Sequence, residues 1–340
     1  MDAVQINSSF CASKHNCSEN EISKSSTLQE DCNFGQDHVA HRIAKAIAYC
    51  VIVTVSTLGN SAIITVIWRD RNMRKLPFNV FVVNLATADL VISLVYMSRT
   101  IVTCLQGQEW LVDGILGLVL CKTVPSLHAI SILVSVLTLL AMTADRFLVI
   151  VFPLRKKLSQ RSSKKIAAFI WLLSLAVRIP YIYSLKTELR ESIGELRCVV
   201  DVKKAFGNSQ AREIYYTFLS VVFYGLPFVA ITSLYSVIIK TLRQEKQQDH
   251  GSRLSQEALH RASRKLFCML LAITAAFIIC WLTYFIAHVV HDPIPCSLRF
   301  WRLFLAHVNC SLNPLLYAVF NDKFRQGYKR LLQSTPCACC

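Results

Sequence analysis

The stretch that most constrains this chain covers residues 121–153. Within it, residues 123–144 carry no formal charge over 22 positions, and the chain then breaks into Asp145-Arg146-Phe147. A helix of that length spans the ~30 Å hydrocarbon layer of a bilayer. A soluble core helix keeps one polar face, whereas only scattered Ser, Thr and His interrupt this one. The acid–base pair at its end and the basic run Arg155-Lys156-Lys157 mark the exit from lipid on the cytoplasmic side.

Six further apolar runs flank it. Residues 46–68 carry no charge, 76–98 are interrupted by Asp89, and 166–185 form the weakest run because Arg178 falls within it. Runs 214–239 and 266–291 are the clearest, and the last covers roughly residues 303–321. With 54% apolar and 17% charged residues, the chain belongs with membrane proteins. Its net charge of +16 does not point to nucleic acid, since the basic residues lie between the apolar runs and form no single stripe. The 14 cysteines are too few for a disulfide scaffold and several sit inside apolar runs. No metal spacing is present, because Cys337-Ala338-Cys339-Cys340 lacks a second pair or a histidine.

The charges between runs set the orientation. Arg69, Arg71, Arg74 and Lys75 follow the first run, Lys156, Lys157, Arg161, Lys164 and Lys165 the third, and Arg243, Lys246, Arg253, Arg261, Arg264 and Lys265 the fifth. The tail adds Lys323, Arg325, Lys329 and Arg330, while the alternate loops carry Glu109, Asp113 and Asp292. The positive-inside rule then predicts an outside amino terminus and an inside carboxyl terminus, as an odd number of crossings demands. Residues 1–41 are expected to be an extracellular tail without a cleavable leader, glycosylated at Asn7 and Asn16, each in an Asn-x-Ser sequon. A third sequon, Asn309-Cys310-Ser311, lies inside the seventh run and is set aside. Residues 42–321 would form the membrane bundle and 322–340 a cytoplasmic amphipathic helix and tail.

Each run also carries a signature, in order. Gly59-Asn60 stands in the first, Leu85-Ala86-Thr87-Ala88-Asp89-Leu90 in the second, and Cys121 with Asp145-Arg146-Phe147 in the third. Trp171 follows in the fourth, Pro227 with Tyr235 in the fifth, Phe277 with Cys280-Trp281 in the sixth, and Asn313-Pro314-Leu315-Leu316-Tyr317 in the seventh, before Phe324. Over about residues 40–335 the chain resembles class A, rhodopsin-like G-protein-coupled receptors. The resemblance implies an all-α membrane protein: a seven-transmembrane helix bundle with a short amphipathic eighth helix, not an enzyme.

By resemblance, Asp145, Arg146, Tyr235, Phe277, Trp281, Asn313, Pro314 and Tyr317 form the activation switch and the G-protein contact. Asp145 holds Arg146 at rest; release frees it for the end of a G protein, with Tyr235 and Tyr317 turning in beneath. Asp89, whose burial in lipid costs roughly 2.5–3.5 kcal/mol, needs partners. The resemblance supplies Ser135, Asn309 and Asn313, a cluster that holds a sodium ion in many family members. That allosteric ion is the single cofactor candidate. The family's disulfide falls on Cys121 and Cys198, both on the oxidising side, pinning loop 186–212 over the bundle mouth. Cys11, Cys17, Cys32 and Cys296 are left without an assigned pairing. Cys337, Cys339 and Cys340 are palmitoylation candidates behind the amphipathic stretch.

Two departures stand out. Thr283 replaces the proline the family carries two residues after the tryptophan, so the helix kink is weaker. Ser263 replaces a glutamate that restrains the arginine in many relatives. These two leave a constitutively active or decoy receptor as the alternative. A transporter would have repeat halves with interrupted helices, which are not seen.

For the ligand, an amine receptor would have an aspartate where His128 stands, and a photoreceptor a lysine where His307 stands. Neither fits. The long charged second loop, Asp145-Arg146-Phe147 and Val151-Phe152-Pro153 look most like neuropeptide receptors, including the RFamide group. Asp292, beside His288 and His291, occupies the position that pairs with the arginine of an amidated peptide there. Arg99 would instead suit a carboxylate. Ile132, Tyr284, Phe285 and Trp110 are expected pocket walls. The implied partners are an extracellular peptide, a heterotrimeric G protein, arrestin, receptor kinases and membrane lipids.

Overall fold

The computed structural model describes residues 37–153, 158–191, 194–248, 254–289 and 296–334, with side chains at 245–263, 287–297 and 334 left out of the description. Seven helices are long and apolar enough to cross a bilayer. They are α1 (Val39–Arg69), α3 (Pro77–Gln106), α4 (Gly114–Val151), α5 (Gln160–Ser184), α7 (from Ser209 through Gln248), α8 (Leu254–Val289) and α9 (Cys296–Phe320). A short α2 (Arg71–Lys75) joins the first two, α6 (Val202–Phe206) precedes α7, and α10 (Asp322–Ser334) closes the described chain. The eighth, amphipathic helix expected from residue 322 is α10, which presents Phe324 to the bundle, fully buried.

The helices begin where side chains satisfy their first amides. Asp70 accepts from the amides of Asn72 and Met73, Ser159 from that of Ser162, and Asn208 from that of Ala211, while Pro77 opens α3 without needing a donor. Several helices outrun their apolar runs: α4 is 38 residues long where the charge-free stretch is 22. Hydropathy marks the lipid layer, and backbone hydrogen bonding continues into the aqueous region until a cap or turn ends it.

Two interruptions have no counterpart in the sequence reading. α3 passes through a π-helical segment at Ile92–Met97, and α7 through another at Ser220–Gly225. By contrast α8 is regular α-helix through Thr283, whose side chain is exposed on the outer face.

α4 is central, packing against α3, α5 and α7, while α9 packs against α1 and α8. The core joins Tyr49 and Ile63 of α1, Phe81 and Leu85 of α3, Leu139 of α4, Phe277 and Trp281 of α8, and Tyr317 of α9, each no more than 1% exposed. Outward, Val51, Leu58, Phe169, Leu172 and Ile279 are exposed, the apolar belt expected where lipid replaces water. One polar tie crosses three helices: Trp171 Nε1 donates to Asn84 Oδ1 (2.9 Å), and Asn84 Nδ2 to Thr138 Oγ1 (2.7 Å).

Over the outer end lies a hairpin, β1 (Leu185–Arg190) and β2 (Glu195–Val200), antiparallel with Thr187 opposite Cys198. The Cys121–Cys198 disulfide, with Cα atoms 5.6 Å apart, fastens it to the top of α4. The Trp110 amide adds a hydrogen bond to the Leu196 carbonyl (2.7 Å).

Candidate functional site

Three polar features lie at successive depths of the bundle. The outermost is a cavity of about 230 Å³ beneath the hairpin. His128, Ala129 and Ile132 of α4 line one side, Tyr284 and Phe285 of α8 another, and Arg178 and Tyr181 of α5 a third; Val200 of β2 borders it. Both π-helical segments contribute: Tyr96 comes from the first, Ser220 and Tyr224 from the second. Their wider turns re-aim these side chains relative to a regular helix, a common use of such segments. Of the expected walls, Ile132, Tyr284 and Phe285 line it, and so does His128, expected among the ligand-binding residues.

Arg178, Tyr96, Tyr181, Tyr216 and Tyr224 were not foreseen. The signal was present in one case, since an ionisable residue inside a membrane helix marks a functional site by default. Arg178 weakens the fourth run as hydropathy for the same reason that it matters chemically. It is 7% exposed and its Nη2 donates to the Tyr224 hydroxyl at 2.6 Å.

His128 stacks on Tyr96 at a ring distance of 3.8 Å, and its Nε2 meets Nε2 of His307 at 3.0 Å. One ring must donate and the other accept, which two neutral imidazoles of opposite tautomer achieve. His307 Nδ1 lies 3.2 Å from the Tyr49 hydroxyl, extending the chain to α1. His307 is thus fully buried behind the cavity rather than on its wall. Two other expectations fail to line it. The Trp110 indole is buried against Cys121 and Leu185, donating to the Gly117 carbonyl (3.0 Å), because the hairpin covers it. Arg99 donates to Thr103 of its own helix and lies 4.9 Å over the Trp110 ring.

Below the cavity, Trp281 stacks on Phe277 and Phe285 at 5.8 and 5.9 Å. It links the cavity wall to the helix packing underneath. Phe277 continues to Phe228 of α7 at 5.9 Å.

The middle feature surrounds Asp89, 1% exposed, whose Oδ2 accepts from Asn313 Nδ2 at 2.7 Å. Asp89 Oδ1, Asn309 Oδ1 and Asn313 Oδ1 are buried without a hydrogen-bond partner. Such orphaned acceptors fit a small hard cation held by oxygen. Ser135, also expected in this cluster, is buried and donates to the Ser131 carbonyl one turn back (3.0 Å), which leaves its oxygen able to accept. Asn60 fastens α1 alongside, donating to the carbonyls of Ser56 and Cys310, both at 2.9 Å.

At the inner end, Arg146 Nη2 and Nε both donate to Asp145 Oδ2, at 2.6 and 3.0 Å. The guanidinium also lies 4.4 Å over the Phe78 ring. The carboxylate is 5% exposed and the arginine side chain 15%, so the pair is shielded from water. Tyr235 is engaged elsewhere, its hydroxyl bonded to Thr274 (2.9 Å) and Thr143 (3.2 Å), and Tyr317 packs on Phe324 at 5.0 Å. Among the described contacts neither tyrosine bonds Arg146, whose guanidinium is held by Asp145. Asp322 bonds Lys265 (3.0 Å), tying α10 to α8, and that bond holds its carboxyl below the usual aspartate range.

Asp292, Asn7, Asn16, Cys337, Cys339 and Cys340 lie outside the described residues, as do the side chains of His288 and Ser263.

Residues 59–317 match the family model of the 7 transmembrane receptor (rhodopsin family). The chain belongs to that family of seven-transmembrane signalling receptors, which are not enzymes. Among characterised proteins it is 27% identical to a QRFP-like peptide receptor of Branchiostoma floridae, over 94% of this chain and 85% of that protein. It is 26% identical to the RYamide receptor of Tribolium castaneum, over 85% of this chain and 80% of the relative. With neuropeptide FF receptor 2 of Rattus norvegicus it shares 28% identity over 87% of this chain and 74% of that receptor.

Proposed function

We propose that the chain is a plasma-membrane receptor, amino terminus outside, that binds an extracellular peptide at the outer cavity and activates a heterotrimeric G protein at the inner end. The observation that carries this reading is the pairing of a covered outer cavity with a closed Asp145–Arg146 latch inside one continuous bundle. Relatives named as peptide and neuropeptide receptors support the ligand class.

A ligand favours whichever state it binds better, so the outer end can act on the inner end only through packing that differs between states. Trp281 supplies that connection, since it touches Phe285 of the cavity wall above and Phe277 below. Movement there repacks α8 against α7, loosening the Tyr235–Thr274 bond and freeing Arg146 from Asp145 for the partner. Arrestin and receptor kinases would read the same opened face. The orphaned oxygens of Asp89, Asn309 and Asn313 would hold a sodium ion that favours the closed packing.

The test is a screen of amidated peptides on cells expressing the chain, reading cyclic nucleotide and calcium. A responding peptide should lose its effect with Arg146→Ala at unchanged surface expression. With Asp292→Ala, loss of one charged hydrogen bond of ~1.5–3 kcal/mol should raise the half-effective concentration about ten- to hundredfold. A full response from the Arg146→Ala receptor would refute the mechanism.

A further inference from the structure

Resting on the reading of the outer cavity as the ligand's entry, we propose that this cavity is a carboxylate-binding subsite centred on Arg178, receiving a free acid group of the ligand. Arg178 sits in a membrane helix and is 7% exposed, yet its partners are neutral hydroxyls: that of Tyr224, which accepts from Nη2 at 2.6 Å, and that of Tyr215. Its Nε is buried with no partner. Its ionisable neighbours are the tyrosines at 224, 215, 284 and 216, and among the described residues no aspartate or glutamate lines the cavity.

A guanidinium carries five donors and stays charged under all physiological conditions. Removed from water, such a charge calls for a counter-charge or a full set of acceptors. Phenols titrate near pH 10, so the surrounding tyrosines are neutral and satisfy donors without neutralising the charge. In accepting from Arg178, the Tyr224 hydroxyl keeps its own proton to donate onward. The site therefore presents a guanidinium charge and phenol donors to one volume, which is what a carboxylate accepts. Ile132, Phe285 and Val200 border that volume with apolar surface, and exclusion of water strengthens the pairing. A cationic ligand group would meet Arg178 as a like charge. At about 230 Å³ the cavity holds one residue of a peptide, the rest lying toward the hairpin and the mouth.

Either a chain-terminal carboxylate or an acidic side chain offers this chemistry, and small probes separate them. The purified full chain is titrated with N-acetylphenylalanine, with the α-amide of N-acetylglutamic acid, and with N-acetylphenylalaninamide, which has no acid. Binding is read by ligand-observed NMR and by thermal shift. At least one acid should bind ten times more tightly than the amide, and whichever does so names the source. Arg178→Gln should erase the preference, Arg178→Lys should retain part of it, and Tyr224→Phe should weaken acid binding several-fold. If Arg178→Gln fails to fold, Arg178→Lys and Tyr224→Phe carry the comparison. Equal binding of acid and amide, no acid binding, or a preference that survives these substitutions overturns the proposal. The measurement needs neither peptide agonist nor G protein, so its failure leaves the receptor reading intact, and a failed peptide screen leaves this site intact.

Discussion

At the residue scale, one hydrogen atom fixes the distance between α1 and α9. A Cβ on Gly59 would lie 2.6 Å from both Cβ and Cγ of Pro314, closer than packed carbons come. Both atoms belong to a ring with no rotamer to retreat into. Gly59→Ala should therefore destabilise the bundle by about 1–3 kcal/mol, the usual penalty for overpacking, read as earlier thermal unfolding of the purified protein. An unchanged unfolding temperature would mean that the helices part at no cost. Asp89 gives a second prediction. If sodium binds its orphaned oxygen, the ion at ten times its Kd adds about 1.4 kcal/mol to the folded state. Asp89→Asn keeps an acceptor for Asn313 while removing the charge, so thermal stabilisation by sodium over potassium should vanish. Equal stabilisation in the variant would rule Asp89 out as the ligand.

At the element scale, the π-helical segments decide which side chains meet. Apolar spacing made α3 and α7 legible as membrane helices, but a hydropathy run is insensitive to a local change of pitch. Each residue of an α-helix turns the face by about 100°. Deleting Val221 should thus restore regular pitch and turn Tyr224 off the cavity wall, breaking its bond to Arg178. The expected result is normal surface expression with loss of probe or peptide binding; retained binding would mean that the segment has no role in shaping the cavity. The hairpin was equally hidden, because its two strands are short and charged and form a ladder with each other alone. The amphipathic terminal helix was legible, its Phe324 spaced to reach the core.

At the scale of the whole molecule, the proposal stands on the sidedness of the membrane. Basic residues cluster after the first, third and fifth runs and in the tail, and the reverse topology would have to carry each of them across the membrane. An epitope at the amino terminus should be accessible on intact cells, and one at the carboxyl terminus only after permeabilisation. Access to both from the same side would break the seven-helix count that the structure and the family share.

The sequence by itself determined the membrane class, seven spans, their order, and the motif residues Asp89, Arg146, Trp281 and Asn313. Charge-free length and the cost of burying charge in lipid are local quantities, readable along a chain. Tertiary structure alone decided that His307 stands behind His128 rather than on the cavity wall. It also decided that Arg99 and Trp110 are taken up by each other, and that Arg178 of one helix meets Tyr224 of another. Those outcomes depend on which faces of separate helices converge, and a one-residue change of pitch reverses them without altering the composition of any span.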